Sequence, residues 1–231
     1  MNSEDIDWWK LNEDIDRNGF ARLENLLAPE DCVSLINKFG NEALYRRHII
    51  MQQHGYGQGE YKYFAYPLPD PVARLREDYY PPLAQIANDW SERLSDGVQY
   101  PEKLADYTAR CHAAGQLRPT PLILKYNAGD YNRLHQDLYG EHLFPLQMTI
   151  LLSTPGADFD GGEFILTEQR ARQQSRARVV PLKMGDAVVF AVNQRPIQGK
   201  TGSVRVTMRH GVSDVLAGQR YTLGIIFHDA K

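Results

Sequence analysis

A histidine and an aspartate stand one residue apart in "LKYNAGDYNRLHQDLYGEH", Leu124 to His142. On an extended strand His135 and Asp137 project from the same face, an imidazole nitrogen beside a carboxylate oxygen. Such a doublet can ligate a cation, but alone, in a chain with seven histidines, it reads first as a surface pair beside a turn. The run "SVRVTMRHGV" adds to it. Val204, Val206, Met208, His210 and Val212 alternate with Ser203, Arg205, Thr207, Arg209 and Gly211, and this period of two turns His210 inward. An inward histidine is either a hydrogen-bonded core residue or a ligand. Together with His135 and Asp137 it could complete the two-histidine, one-carboxylate set that holds Fe(II) and leaves positions open for other ligands.

A further candidate follows in "RYTLGIIFHD". If Arg220 faces inward, Thr222 and Gly224 share its face, while Tyr221, Leu223, Ile225 and Phe227 cover the other. An inward arginine keeps its charge and needs an anion. No acidic residue shares its strand face, and a guanidinium fork beside a hydroxyl and a glycine suits the carboxylate of a bound ligand. The alternative is a surface arginine just after an "LAGQ" turn.

The elements that must position these residues divide the chain in two. Residues 1–120 read as mainly helical and residues 121–231 as strands, within one domain spanning 1–231, since the length suits one sizeable core. "LLAPEDCVSLINKF" has Pro29 at a first helical position, and Val33, Leu35, Ile36 and Phe39 form its apolar stripe. "PDPVARLREDYYPPLAQIANDWSERL" repeats the device with Asp70 as cap, and Pro81-Pro82 should break or kink it. A third helix is expected from Pro101 to about Ala114. Between the first two, "RRHIIMQQHGYGQGEYKYFAYPLP" reads as a loop and an extended segment. From Pro121 onward short apolar runs alternate with Gly, Pro and Asp turns, the texture of a sandwich or barrel.

The ordered set "LKYNAGDYNRLHQD", "LLS", "DGGEF", "GDAVVF", "RHGV" and "RYT" resembles the double-stranded β-helix core of 2-oxoglutarate/Fe(II)-dependent dioxygenases, in particular the prolyl-4-hydroxylase-like branch. The resemblance covers Pro121 to Asp229, and "NGFARLENLLAPEDCVSLINKF" is similar to that branch's N-terminal strand and helix. The C-terminal run "MRHGVSDVLAGQRYTLGIIFHDA" also resembles a bacterial subgroup of 2-oxoglutarate/Fe(II) oxygenases. It implies an α+β fold, a jelly roll with N-terminal helices on the major sheet. It implies that His135, Asp137 and His210 bind Fe(II), that Arg220 takes the far carboxylate of 2-oxoglutarate, and that Thr222 and Tyr126 assist. A tyrosine found on the third core strand of some prolyl hydroxylases is matched here by Leu151, so Gln147 or Thr149 on the same face is expected to contribute instead. The implied reaction consumes O2, converts 2-oxoglutarate to succinate and CO2, and hydroxylates a carbon.

The substrate is open: a protein side chain or small molecule first, a modified nucleic acid second. A net charge of −3 supplies no global attraction to nucleic acid or membrane. Two local segments could bind a substrate. One is Arg46, Arg47, His48 and His54 interleaved with Tyr56, Tyr61, Tyr63 and Tyr66, read as a mobile lid on the substrate side. The other is Arg170, Arg172, Arg176 and Arg178 between two core strands. A cupin-like binding protein without oxygenase activity is the alternative of another class, although it predicts a His-X-His cluster that "HQD" lacks. Cys32 and Cys111 read as reduced core residues, and His112, His142 and His228 as structural. The acidic start and the lack of a long apolar run predict a cytoplasmic protein without membrane contact.

Overall fold

The computed structural model describes residues 3–231. The chain order is α1 (Trp8–Asn18), β1 (Phe20–Leu23), α2 (Pro29–Lys38), β2 (Tyr45–Ile50), β3 (Gly57–Gln58), β4 (Glu60–Phe64), α3 (Asp70–Leu94) and α4 (Leu104–Ala113). Ten strands follow: β5 (Leu122–Asn127), β6 (Tyr131–His135), β7 (Leu146–Leu151), β8 (Phe159–Gly161), β9 (Phe164–Gln169), β10 (Arg176–Val180), β11 (Ala187–Ala191), β12 (Gln194–Gln198), β13 (Ser203–Val212) and β14 (Val215–Ile226). A major sheet runs β1-β11-β7-β14-β5-β4-β2 with β8 added to β14, and a minor sheet runs β10-β9-β13-β6-β3 with β12 added to β13. Every strand pair in both sheets is antiparallel. This is the jelly roll expected from the sequence. No helix of the described residues is long and apolar enough to cross a membrane.

The major sheet is covered on both faces, and its strands alternate accordingly. On β7, β11 and β14, Leu146, Met148, Ile150, Ala187, Val189, Ala191, Leu223 and Ile225 join one core with residues of all four helices, including Leu11, Leu35, Tyr80 and Tyr107. The residues between them face the minor sheet. Tyr61, Tyr63, Leu122, Tyr126, Leu151 and Val212 form a second cluster there.

Several expectations are corrected. Val33 is 49 % exposed, and α2 buries Cys32 in its place beside the expected Leu35. Asp70 is the first residue of α3, with Pro69 at the cap, and α3 continues through Pro81 and Pro82. Each proline removes one amide donor, which would leave the carbonyls of Glu77 and Asp78 without their helical partner; both residues are exposed, so water can take those bonds. Residues before 121 supply four strands as well as the helices. Among them, the segment read as a lid is built into the major sheet: β4 pairs with both β2 and β5. Gly55, Gly57 and Gly59 all have positive φ, which bends the chain between β2 and β4. Val204 is exposed although the other even positions of its strand are buried. Leu216–Gln219 continues β14 along β8 instead of turning.

Candidate active site

One strand pairing brings the three candidate ligands together. His135 ends β6 and stands directly opposite His210 on β13. Asp137 lies just beyond the end of β6, not on the strand as the sequence reading had it, yet its carboxylate still turns inward. His135 Nε2 is 3.5 Å from Asp137 Oδ1 and His210 Nε2 is 3.3 Å from Oδ2. One ligand atom from each residue falls within 4.8 Å of the others, close enough to hold one metal ion. The hydrogen between His135 Nδ1 and the Arg133 carbonyl, 2.7 Å away, must sit on nitrogen because the carbonyl can only accept. That fixes the tautomer and leaves the Nε2 lone pair for a cation. The His210 Nδ1 has no hydrogen-bond partner, and its ring is held by packing on Phe190, 4.7 Å between centroids, and Phe164, 6.1 Å.

Electrostatics make this cluster attractive to a cation. Burial by itself would raise the Asp137 pKa, but the hydrogen bonds and charges of His135 and His210 outweigh it and hold the carboxyl well below its usual range. Burial and the neighbouring His135 together lower His210. At His135, nearer the cavity mouth, burial opposes the charged form, yet contact with Asp137 leaves its pKa above the ordinary value. A carboxylate kept anionic beside two Nε2 atoms is a donor set for a divalent metal.

The second group of expected residues lines the same cavity, which measures about 540 Å³. Arg220 is 1 % exposed, and its Nε and Nη1 atoms have no hydrogen-bond partner. Burial pushes its pKa down from 12.5 to about 10. Tyr126 stands opposite Arg220 in the β5–β14 register, and the guanidinium carbon lies 5.6 Å from its ring centre. Thr222 and Gly224 follow Arg220 on the cavity side, as the alternation required. Gln147 and Thr149, on β7, are buried and line the cavity too, and Gln147 Oε1 has no partner. An unpaired buried guanidinium is costly, and here it sits where a ligand carboxylate could answer it.

Sequence reasoning placed Tyr61 and Tyr63 on this cavity correctly, but as a lid and not as sheet. It missed Tyr139, whose hydroxyl donates to Asp137 Oδ1 at 2.7 Å. The spacing His135, Asp137, Tyr139 continues the alternation of the doublet and could have signalled it. The arginines from 170 to 178 lie outside the cavity, where Arg170 pairs with the buried Glu168, itself bound to Arg195. His228 accepts from the Phe144 amide and His112 pairs with Asp229, both structural roles.

A jelly roll that joins such a donor set to a buried arginine in one cavity has the parts of a metal-dependent oxygenase. Residues 59–230 match a family of oxygenases described as "catalysing oxidative methylation of damaged DNA", and the chain belongs to that family. It is 43 % identical over 198 residues to an uncharacterised protein of Mycobacterium tuberculosis, an alignment covering 86 % of this chain and 80 % of that one. The fold is similar to a prolyl-4-hydroxylase from Pseudomonas putida, with a TM-score of 0.55 at 13 % identity over 97 % of this chain and 99 % of the other. It is equally similar to a 2OG-Fe(II) oxygenase family oxidoreductase from Burkholderia pseudomallei, with a TM-score of 0.55 at 14 % identity over 96 % and 91 %.

Proposed function

We propose that the protein is a non-haem Fe(II)- and 2-oxoglutarate-dependent dioxygenase that hydroxylates a carbon centre. The observation that carries this reading is the unpaired, buried Arg220 in the same cavity as the His135, Asp137 and His210 cluster. The three side chains would hold Fe(II), leaving open positions for 2-oxoglutarate and O2. Bound there, the metal and cosubstrate supply the oxidation: O2 and 2-oxoglutarate are consumed, succinate and CO2 leave, and one oxygen atom is inserted into a substrate C–H bond.

The chain's own residues do the rest. Arg220 pairs with the far carboxylate of the cosubstrate, and Thr222, two residues on along the same strand face, offers it a hydrogen bond, while Gln147, opposite Ile226 in the register, lines the cavity farther along. Tyr126 closes the cavity behind the guanidinium and, with Leu122 and Val212, keeps water away. His135 and His210 stay neutral as ligands, with the His135 proton held on Nδ1 by the Arg133 carbonyl.

On the substrate side the cavity favours an anionic partner. Arg46, Arg47, Arg118 and Arg133 line it, and Asp137 is the sole acidic side chain among its described lining residues. His54 and Tyr56 stack at 5.3 Å between ring centres beside them, and Tyr56 is largely exposed. Cations for phosphates next to a flat aromatic surface suit a nucleic acid better than a neutral peptide or small molecule, in keeping with the family's description. Hydroxylation of an N-methyl carbon would yield a hemiaminal that releases formaldehyde and the repaired base. The test supplies Fe(II), 2-oxoglutarate and air with methylated single-stranded DNA, peptide or no substrate. Succinate above the level of a His135→Ala/His210→Ala variant is expected, with formaldehyde rising on DNA alone and falling steeply with salt. Absence of that succinate would refute the dioxygenase reading, and stimulation by peptide instead of DNA would refute the substrate.

A further inference from the structure

Tyr139 lies two residues beyond Asp137 and donates its hydroxyl hydrogen to Oδ1 at 2.7 Å. A phenol has one proton. The Tyr139 proton is therefore committed to Asp137, and what backs the phenol on the cavity side is aromatic packing. The three rings meet edge to face, with centroids 5.3 Å apart for Tyr61–Tyr63 and 6.5 Å for Tyr63–Tyr139. A row of packed rings thus runs from the cavity wall on β4 to the phenol that holds the carboxylate. The backbone that carries Tyr139 is fixed as well. The buried Gln116 donates to the Tyr139 and His142 carbonyls at 3.3 and 3.1 Å and accepts from the Glu141 and His142 amides at 2.9 and 2.7 Å.

We propose that Tyr139 is a positioning residue for the metal centre: its hydroxyl, backed by Tyr63 and Tyr61, occupies Oδ1 of Asp137 so that Oδ2 alone is presented to a cation held with His135 and His210. The inference rests on the metal reading above. One-oxygen ligation keeps a coordination position open that a two-oxygen grip would fill. It also ties the carboxylate to β4, the wall a substrate would touch.

Tyr139→Phe removes the hydroxyl and little else. With Co(II) alone as the probe, followed by its visible absorption, this variant is expected to bind about 10- to 100-fold more weakly, the usual loss when the group orienting a metal ligand is removed. Tyr63→Leu removes the ring that backs Tyr139, touches neither Asp137 nor the cation, and should weaken Co(II) in the same direction by less; it carries the test if Tyr139→Phe does not fold. The thermal midpoint of the metal-free variants separates the roles, because a purely structural tyrosine lowers the midpoint and leaves the Co(II) affinity unchanged. Affinity within about threefold of wild type in both variants, well short of the expected loss, overturns the proposal. If the wild type binds no more Co(II) than the His135→Ala/His210→Ala variant, the metal reading itself fails and this inference falls with it.

Discussion

Arg220→Met should stabilise the cosubstrate-free protein while abolishing its response to 2-oxoglutarate. The guanidinium is 1 % exposed with two unpaired nitrogens, and its pKa is pushed down from 12.5 to about 10, chiefly by burial. That shift corresponds to ~3 kcal/mol against the charged form. The sign follows from linkage: the native state holds this proton less readily than the unfolded chain, so below pH about 10 the whole penalty weighs on folding. Methionine has similar reach without the charge. Allowing ~1 kcal/mol for imperfect packing, the variant should gain ~2 kcal/mol, which at ~2–4 °C per kcal/mol for a chain of this size raises the midpoint by several degrees.

The liganded protein should behave in the opposite way. Saturation to about 100 times Kd stabilises the wild type by ~2.7 kcal/mol, whereas the methionine variant has nothing to pair with the far carboxylate and should show no shift. Arg220→Lys keeps a charge but loses the fork, and a lost charge-assisted bond costs about 1.5–3 kcal/mol, roughly one to two decades in affinity. The assay is thermal unfolding of the Zn(II)-loaded protein across a 2-oxoglutarate titration, since zinc supports binding without turnover. A lower midpoint for Arg220→Met without ligand, together with an undiminished ligand shift, would mean that Arg220 is a structural cation and the reasoning is wrong.

Three further outcomes are expected. Metal analysis of His135→Ala/His210→Ala should fall from one divalent ion per chain to none, although Ni, Zn or Mn can take the place of Fe(II) after purification in air; undiminished metal would sink the assignment. His228 is buried beside Arg76, and both lower its pKa from 6.5 to about 4; because the unfolded chain takes up the proton first, stability present above pH 6.5 should be lost toward pH 4 by ~3 kcal/mol in all. Urea unfolding across that range should show a flatter pH dependence in His228→Gln, and equal slopes would contradict it. Gly211→Ala should weaken metal binding with both histidines intact: a Cβ there would lie 2.7 Å from the Asn132 carbonyl oxygen, forcing β13 off β6 at the residue next to His210. Metal affinity equal to wild type by Co(II) titration would show that the pairing tolerates the shift.

The site was legible where side chains alternate on strands with two different faces. Val206, Met208 and His210 on β13, and Arg220 and Thr222 on β14, all point as a period of two requires. What the sequence concealed depended on partners distant in the chain. Nothing local in "EYKYF" says that β4 will be sandwiched between β2 and β5, so its tyrosines, with Gly55, Gly57 and Gly59 before them, read as a mobile wall beside the site. Pro81 and Pro82 looked like a helix break because the sequence does not reveal that Tyr79, Tyr80 and Leu83 anchor α3 in the core on both sides of them. Gln116 gave no signal either, since the five hydrogen bonds of its side chain all go to backbone 23 to 113 residues away.

The same alternation explains why the fold can carry a polar cavity at all. Each of β7 and β14 gives one face to the helices and fills it with leucine, isoleucine and methionine, while Gln147, Thr149, Arg220 and Thr222 occupy the other. Unpaired buried polar atoms cost about 1–3 kcal/mol each, and four of them, Gln147 Oε1, His210 Nδ1, and Nε and Nη1 of Arg220, belong to residues lining this one cavity. The apolar layer on the opposite face of the same strands offsets that cost without bringing any group that could satisfy those atoms from within the protein. The two Arg220 nitrogens donate, so a ligand carboxylate would answer them, and a molecule bound there is expected to stabilise a fold whose other strand face is already packed against the helices.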